Sequence, residues 1–92
     1  TFQSDGSATK MWRNGDAQTI TVNNGANNGD WMADTINRDN FTVGGLRYGN
    51  GDSNWFNGLI AEVLVYDRAL TDGQRRTIER YLAKKYGITL GA

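Results

Sequence analysis

The order of apolar and polar positions along the 92 residues predicts short strands, a loop-rich middle and one helix. Thr1-Phe2-Gln3 reads as the tail of a strand, closed by the turn Ser4-Asp5-Gly6-Ser7. ATKMWR, residues 8–13, forms the next strand and stops at Asn14-Gly15, a strong hairpin signal because both residues tolerate positive φ. AQTITV, residues 17–22, alternates polar positions with Ile20 and Val22 and is expected to pair back across that turn. Alternation sets Trp12 opposite Met11 and Arg13, and Trp12 is assigned to the core. Residues 23–40 are loop-rich, interrupted by Trp31-Met32 and Ile36. Phe41 to Leu46 opens another strand, whose Gly44-Gly45 predicts a bulge or a close backbone approach.

GLIAEVLVY, residues 58–66, is the most apolar run. Leu59, Ala61, Val63 and Val65 alternate with Ile60, Leu64 and Tyr66, so both faces demand cover and the segment reads as an interior strand. The helix is equally plain. Thr71-Asp72-Gly73-Gln74 is a capping box, and Asp72 complements the positive dipole end. Ile78, Tyr81, Leu82 and Tyr86 share one face, and Arg75 and Glu79 stand at i, i+4. Lys84 and Lys85 lie in the last turn, and Gly87 suits the left-handed residue after it. The helix is therefore set at 71–86.

Composition narrows the chemistry. There is no Cys, which closes the disulfide route, and no His, which removes the commonest metal ligand and general base. Zinc-finger, metalloprotease and Ser-His-Asp readings fail within this chain. Net charge is zero, so no global field favours nucleic acid, and no apolar run approaches the ~20 residues that span a bilayer. The charge is uneven: residues 1–70 carry five basic and eight acidic side chains, residues 71–92 five basic and two acidic. The helical cations Arg75, Arg76, Arg80, Lys84 and Lys85 read as a solvated face, with an anionic polymer as the alternative.

WFNGLIAEVLVYDRALTDGQRRTIERYLAKKYG resembles the C-terminal signature of laminin-G-like, concanavalin A-like jelly-roll domains. The shared pattern is an aromatic and Gly, an apolar strand with an internal acid, Tyr-Asp-Arg-x-Leu, then a terminal helix ending in Tyr-Gly. TFQSDGSATKMWRNGD and FTVGG are similar to upstream strands of that family. The resemblance implies an all-β antiparallel sandwich with one C-terminal amphipathic helix, of which residues 1–92 form either a single domain or the C-terminal half. A start at Thr1 without Met reads as a processed or truncated chain. Half a sandwich leaves a sheet face and strand edges bare, so extensive contact with other protein chains, or an oligomer that completes the fold, is expected.

Candidate sites follow, each with its plainer alternative. In YGNGDSNWFNG, residues 48–58, Asn50, Asp52 and Asn54 offer oxygens at alternate positions, and the resemblance admits calcium at a loop rim. An ordinary surface turn uses the same residues, and no EF-hand order is present. Phe56 reads as core, matching the family's aromatic. Trp55 stands at the loop tip, where an indole can stack on a sugar while Asn54 or Tyr48 hydrogen-bonds to it; a structural Trp is the alternative. Trp31, beside Asp30 and Asp34, is the second carbohydrate platform, against an inward-packed Trp31-Met32. Glu62 and Asp67 fall on opposite faces of a regular strand, which does not suit a paired-carboxylate glycosidase. Glu62 reads instead as a hydrogen-bond acceptor for Arg47, Arg68 or the helix. Asn40-Phe41-Thr42 fits a glycosylation sequon.

The expectation is a non-catalytic, extracellular or surface-attached recognition module of a bacterial protein, without catalytic residues or an obligate metal. Its ligand would be a glycan. A structural assembly domain of a fibre, appendage or virion is the second expectation, and a fragment of a glycoside hydrolase or lyase the third.

Overall fold

The computed structural model describes residues 1–34, 41–48 and 51–91. Its elements are β1 (Phe2–Ser4), β2 (Thr9–Arg13), β3 (Asp16–Gln18), a 3-10 turn (Met32–Asp34), β4 (Leu46–Tyr48), β5 (Gly51–Ser53) and α1 (Asp72–Tyr86). They belong to two compact units: residues 1–34 with 66–92, and residues 35–65.

The first unit is a three-stranded antiparallel sheet in the order β1-β2-β3, together with α1. Asn14 and Gly15 both take positive φ, 51° and 86°, so the two-residue turn follows the strand twist and sets Arg13 opposite Asp16. Between β1 and β2 the Asp5 carboxylate accepts from the backbone N–H groups of Ser7 (2.8 Å) and Ala8 (2.9 Å). Phe2 thereby faces Met11, and Ser4 faces Thr9. The loop after β3 is tied back to β2 by Asn27. Its Oδ1 accepts from Thr9 N, and its Nδ2 donates to Thr9 O.

Both ends of α1 form as their sequence predicts. Thr71 Oγ1 accepts from Gln74 N, and Gln74 Oε1 accepts from Thr71 N. Gly87 is left-handed (φ 68°), and Ile88 N–H reaches back to Ala83 O at 2.9 Å. The buried stripe is different from the expected one. Arg75, Glu79 and Ala83 are buried, Ile78 and Leu82 are half-buried, and Tyr81 and Tyr86 are exposed. Arg75 turns inward because it lies over the Trp12 ring, 4.2 Å from its centroid, and pairs with Glu79 at 2.8 Å. Trp12 is half-buried under that guanidinium.

The second unit contains the β4–β5 hairpin, with Leu46 opposite Ser53 and Tyr48 opposite Gly51. Here the expected architecture is corrected: the described residues form a three-stranded sheet, a hairpin and one helix, not a two-sheet jelly roll. Residues 58–66, expected as the interior strand, carry no strand. None of the described strands pairs with them, and Leu59, Ile60, Val63, Leu64 and Val65 are exposed. The strand expected over residues 17–22 is confined to Asp16–Gln18, and the one expected from Phe41 starts at Leu46.

Candidate functional site

Three glycines shape the second unit around residues 54–60. Thr42 Oγ1 donates to Gly45 O at 2.6 Å, and Phe56 N–H donates to Gly44 O at 2.7 Å. A Cβ on Gly45 would fall 2.8 Å from Trp55 Cζ3, and a Cβ on Gly58 would fall 2.8 Å from the Phe56 ring. Each ring therefore rests on bare glycine backbone, the close approach that Gly44-Gly45 predicted. Resting on glycine does not bury them. Trp55 stays 68% exposed and Phe56 59% exposed, which overturns the assignment of Phe56 to the core.

The apolar run continues from these rings. Leu59 is 98% exposed, and Ile60, Val63, Leu64 and Val65 are all exposed, so this run is the reverse of the interior strand expected. No hydrogen bond is made by Asn57 to Ala61 or by Val63 to Val65 among the described residues. Glu62 is half-buried within this run. Burying an aliphatic side chain contributes about 1.5–3 kcal/mol, so this segment forgoes on the order of 5 kcal/mol by staying bare.

The other sequence candidates scatter. Asn54 is exposed with φ 55°, beside Trp55. The side chains of Tyr48, Arg47 and Asp52, and all of Asn50, Ile36 and Asn40, lie outside the described residues, as do the calcium loop and the sequon that depend on them. Trp31 belongs to the other unit. Its N–H donates to Asp34 Oδ2 and its carbonyl accepts from Asp34 N, both at 2.9 Å. Trp31 and Met32 are exposed, not packed inward. Asp67 is exposed, in a bend, and pairs at 3.7 Å with Arg68. Arg75 leaves the solvated basic face for the buried pair, while Arg76, Arg80 and Lys84 stay exposed. Beside Trp12 the sheet carries an open depression of about 230 Å³, walled by Lys10, Met11, Gln18, Ile20 and Asn27 among others, with no carboxylate in its lining. Among the described residues no group of three or more acidic side chains is placed to hold a metal, and no helix is long and apolar enough to cross a membrane.

Sequence reasoning missed the exposed run itself. A signal was present: both faces of residues 58–66 are apolar, yet no second segment of like apolarity exists to pair with it. Comparison of the chain with protein-family models, curated proteins and solved structures gave no match. The laminin-G-like likeness thus rests on its motifs alone.

Proposed function

We propose that this chain is a non-catalytic module of protein assembly, which works by docking the segment from Trp55 to Val65 against another polypeptide. The observation that carries this reading is the exposure of the most apolar run in the chain, continuous with two exposed aromatic rings. Large exposed apolar patches on small domains mark interaction sites. A glycan site would need convergent polar groups around the indole.

The test is light scattering at micromolar concentration. The chain alone is expected to associate without fixed stoichiometry, and Leu59→Asp with Val63→Asp to return it to monomer with unchanged helical circular dichroism. A wild-type chain that stays a monomer, with the amides of residues 59–65 protected from hydrogen exchange, would sink this reading.

Carbohydrate recognition at Trp55 stands as a second reading, on one observation: the indole is backed by Gly45 and 68% exposed. Unchanged binding of Trp55→Ala across a glycan array would remove it.

A further inference from the structure

Five Asn-Gly pairs punctuate the chain, at residues 14–15, 24–25, 28–29, 50–51 and 57–58. The pair has a chemistry of its own. With no Cβ in the way, the glycine nitrogen can reach the Cγ of the asparagine before it. The N–Cγ bond forms as the Cγ–Nδ2 bond breaks, and Nδ2 leaves as ammonia with the glycine N–H proton. Water then opens the five-membered imide at either carbonyl. The product is Asp, or isoaspartate with an extra methylene in the main chain. One water is consumed for each ammonia released, no oxidant or reductant is needed, and one negative charge is added. The requirement is geometric. The Asn–Gly peptide must rotate toward the side chain, so hydrogen bonds and packing that hold this backbone also hold the reaction back.

The four pairs within the described residues divide on that requirement. Asn14 and Gly15 form the hairpin turn, with Arg13 paired to Asp16 across it. The Asn14 carbonyl accepts from Gly91 N–H at 2.7 Å, and Leu90 lies 3.6 Å from where a Cβ on Gly15 would stand. At the third pair, Asn28 Oδ1 accepts from Asp30 N, and Gly29 is buried with its carbonyl bonded to Ser4 Oγ. Both of these pairs are held in place. Asn24 and Gly25 are exposed, make no hydrogen bond among the described residues, and have open space around the Gly25 Cβ direction. Asn57 and Gly58 are likewise exposed and make no hydrogen bond among the described residues.

We infer that Asn24 and Asn57 are sites of spontaneous deamidation in the folded chain, and that the fold protects Asn14 and Asn28, which carry the same dipeptide. Conversion at Asn57 sets a new carboxylate between the exposed Phe56 and Leu59.

The test incubates the full chain in mildly alkaline buffer, at a dilution where light scattering reads a monomer. Each pair is followed by peptide mapping and mass spectrometry. The readout is the mass gained when an amide NH2 becomes OH, with Asp and isoaspartate separated by chromatography. Asn24 and Asn57 are expected to convert about tenfold faster than Asn14 and Asn28, the ratio set by ~1.4 kcal/mol of local opening. In urea the four rates should draw together, because the dipeptide is common to all. Gly25→Ala should slow conversion at Asn24 alone. Equal rates at the four sites in the folded chain overturn the inference, as does a lead by Asn14 or Asn28. A spread of rates that urea leaves unchanged also overturns it, since neighbours in sequence and not the fold would then set the order.

Discussion

The guanidinium carbon of Arg75 lies 4.2 Å from the centroid of the Trp12 ring, while Nη1 of the same residue donates to both carboxylate oxygens of Glu79, at 3.0 and 2.8 Å. Thr1 Oγ1 donates to that carboxylate as well, at 2.8 Å. The side chains of Arg75 and Glu79 are only 5% and 9% exposed, so this is a buried ion pair roofed by an aromatic ring. Removing one partner of such a pair strands a charge.

Glu79→Ala is therefore expected to destabilise the fold by about 3 kcal/mol, read from urea unfolding followed by circular dichroism. Arg75 would keep a single distant carboxylate, that of Asp72 at 3.8 Å, and its Nε is already buried without a partner. The double change Arg75→Met with Glu79→Leu should cost much less than the single one, because no charge is left behind. A double variant as unstable as Glu79→Ala would show that the pair's hydrogen bonds, not its desolvation, dominate.

The caps of α1 should be separable from its packing. Thr71→Ala removes the acceptor for Gln74 N and is expected to cost about 1 kcal/mol. Gly87→Ala forces a Cβ into the left-handed region, also at about 1 kcal/mol, although nothing lies within 4 Å of that Cβ. Equal midpoints for wild type and Thr71→Ala in thermal unfolding would count against the cap.

Two glycines with nearly the same φ should respond very differently to Ala. Gly25 (φ +83°) has open space around its Cβ direction, and Gly25→Ala should cost about 1 kcal/mol from backbone strain alone. Gly29 (φ +81°) faces backbone: an added Cβ would lie 2.5 Å from Gly6 C and from Ser7 N, where Ser4 Oγ also donates to Gly29 O. Gly29→Ala should add overpacking of about 1–3 kcal/mol to the same strain. Matching denaturation curves for the two variants would refute the close approach.

The turn between β1 and β2 should loosen in acid. Hydrogen bonds from the backbone N–H groups of Ala8 and Ser7 hold the Asp5 carboxyl below its ordinary value, with Lys10 adding to the shift. A depressed carboxylate contributes stability above the unfolded value of about 3.9 and loses it as pH falls through the folded one. The amide resonances of Ser7 and Ala8 should move together below pH 4. In Asp5→Asn that titration should vanish; persistence of it would assign the shift to another acid.

Legibility in the sequence followed the range of the physics. Thr71, Gln74 and Gly87 act within one helical turn, and Asn14-Gly15 within one hairpin, so those elements stand where residue order alone puts them. Arg75 and Glu79 were readable as an i, i+4 pair but not as a buried one, because the ring that covers Arg75 comes from β2, far away in the chain. The failure at residues 58–66 has the same root. Apolar alternation states that a segment needs cover, and says nothing of whether its own chain supplies that cover. At Trp55 and Phe56 the glycine pattern foretold close approach, but not that each ring would keep its outer face open.

The first unit is discontinuous: residues 1–34 and 66–92 join to form it, and Gly91 N–H donates to Asn14 O at 2.7 Å to bind the two parts. Residues 35–65 are therefore an excursion between two halves of one frame. Closing a flexible loop costs only about 0.6 kcal/mol more for each doubling of its length. With hydrogen bonds at Thr1–Glu79 and Asn14–Gly91 inside the first unit, a change in the length of residues 35–65 is expected to cost its sheet and helix little in loop-closure entropy.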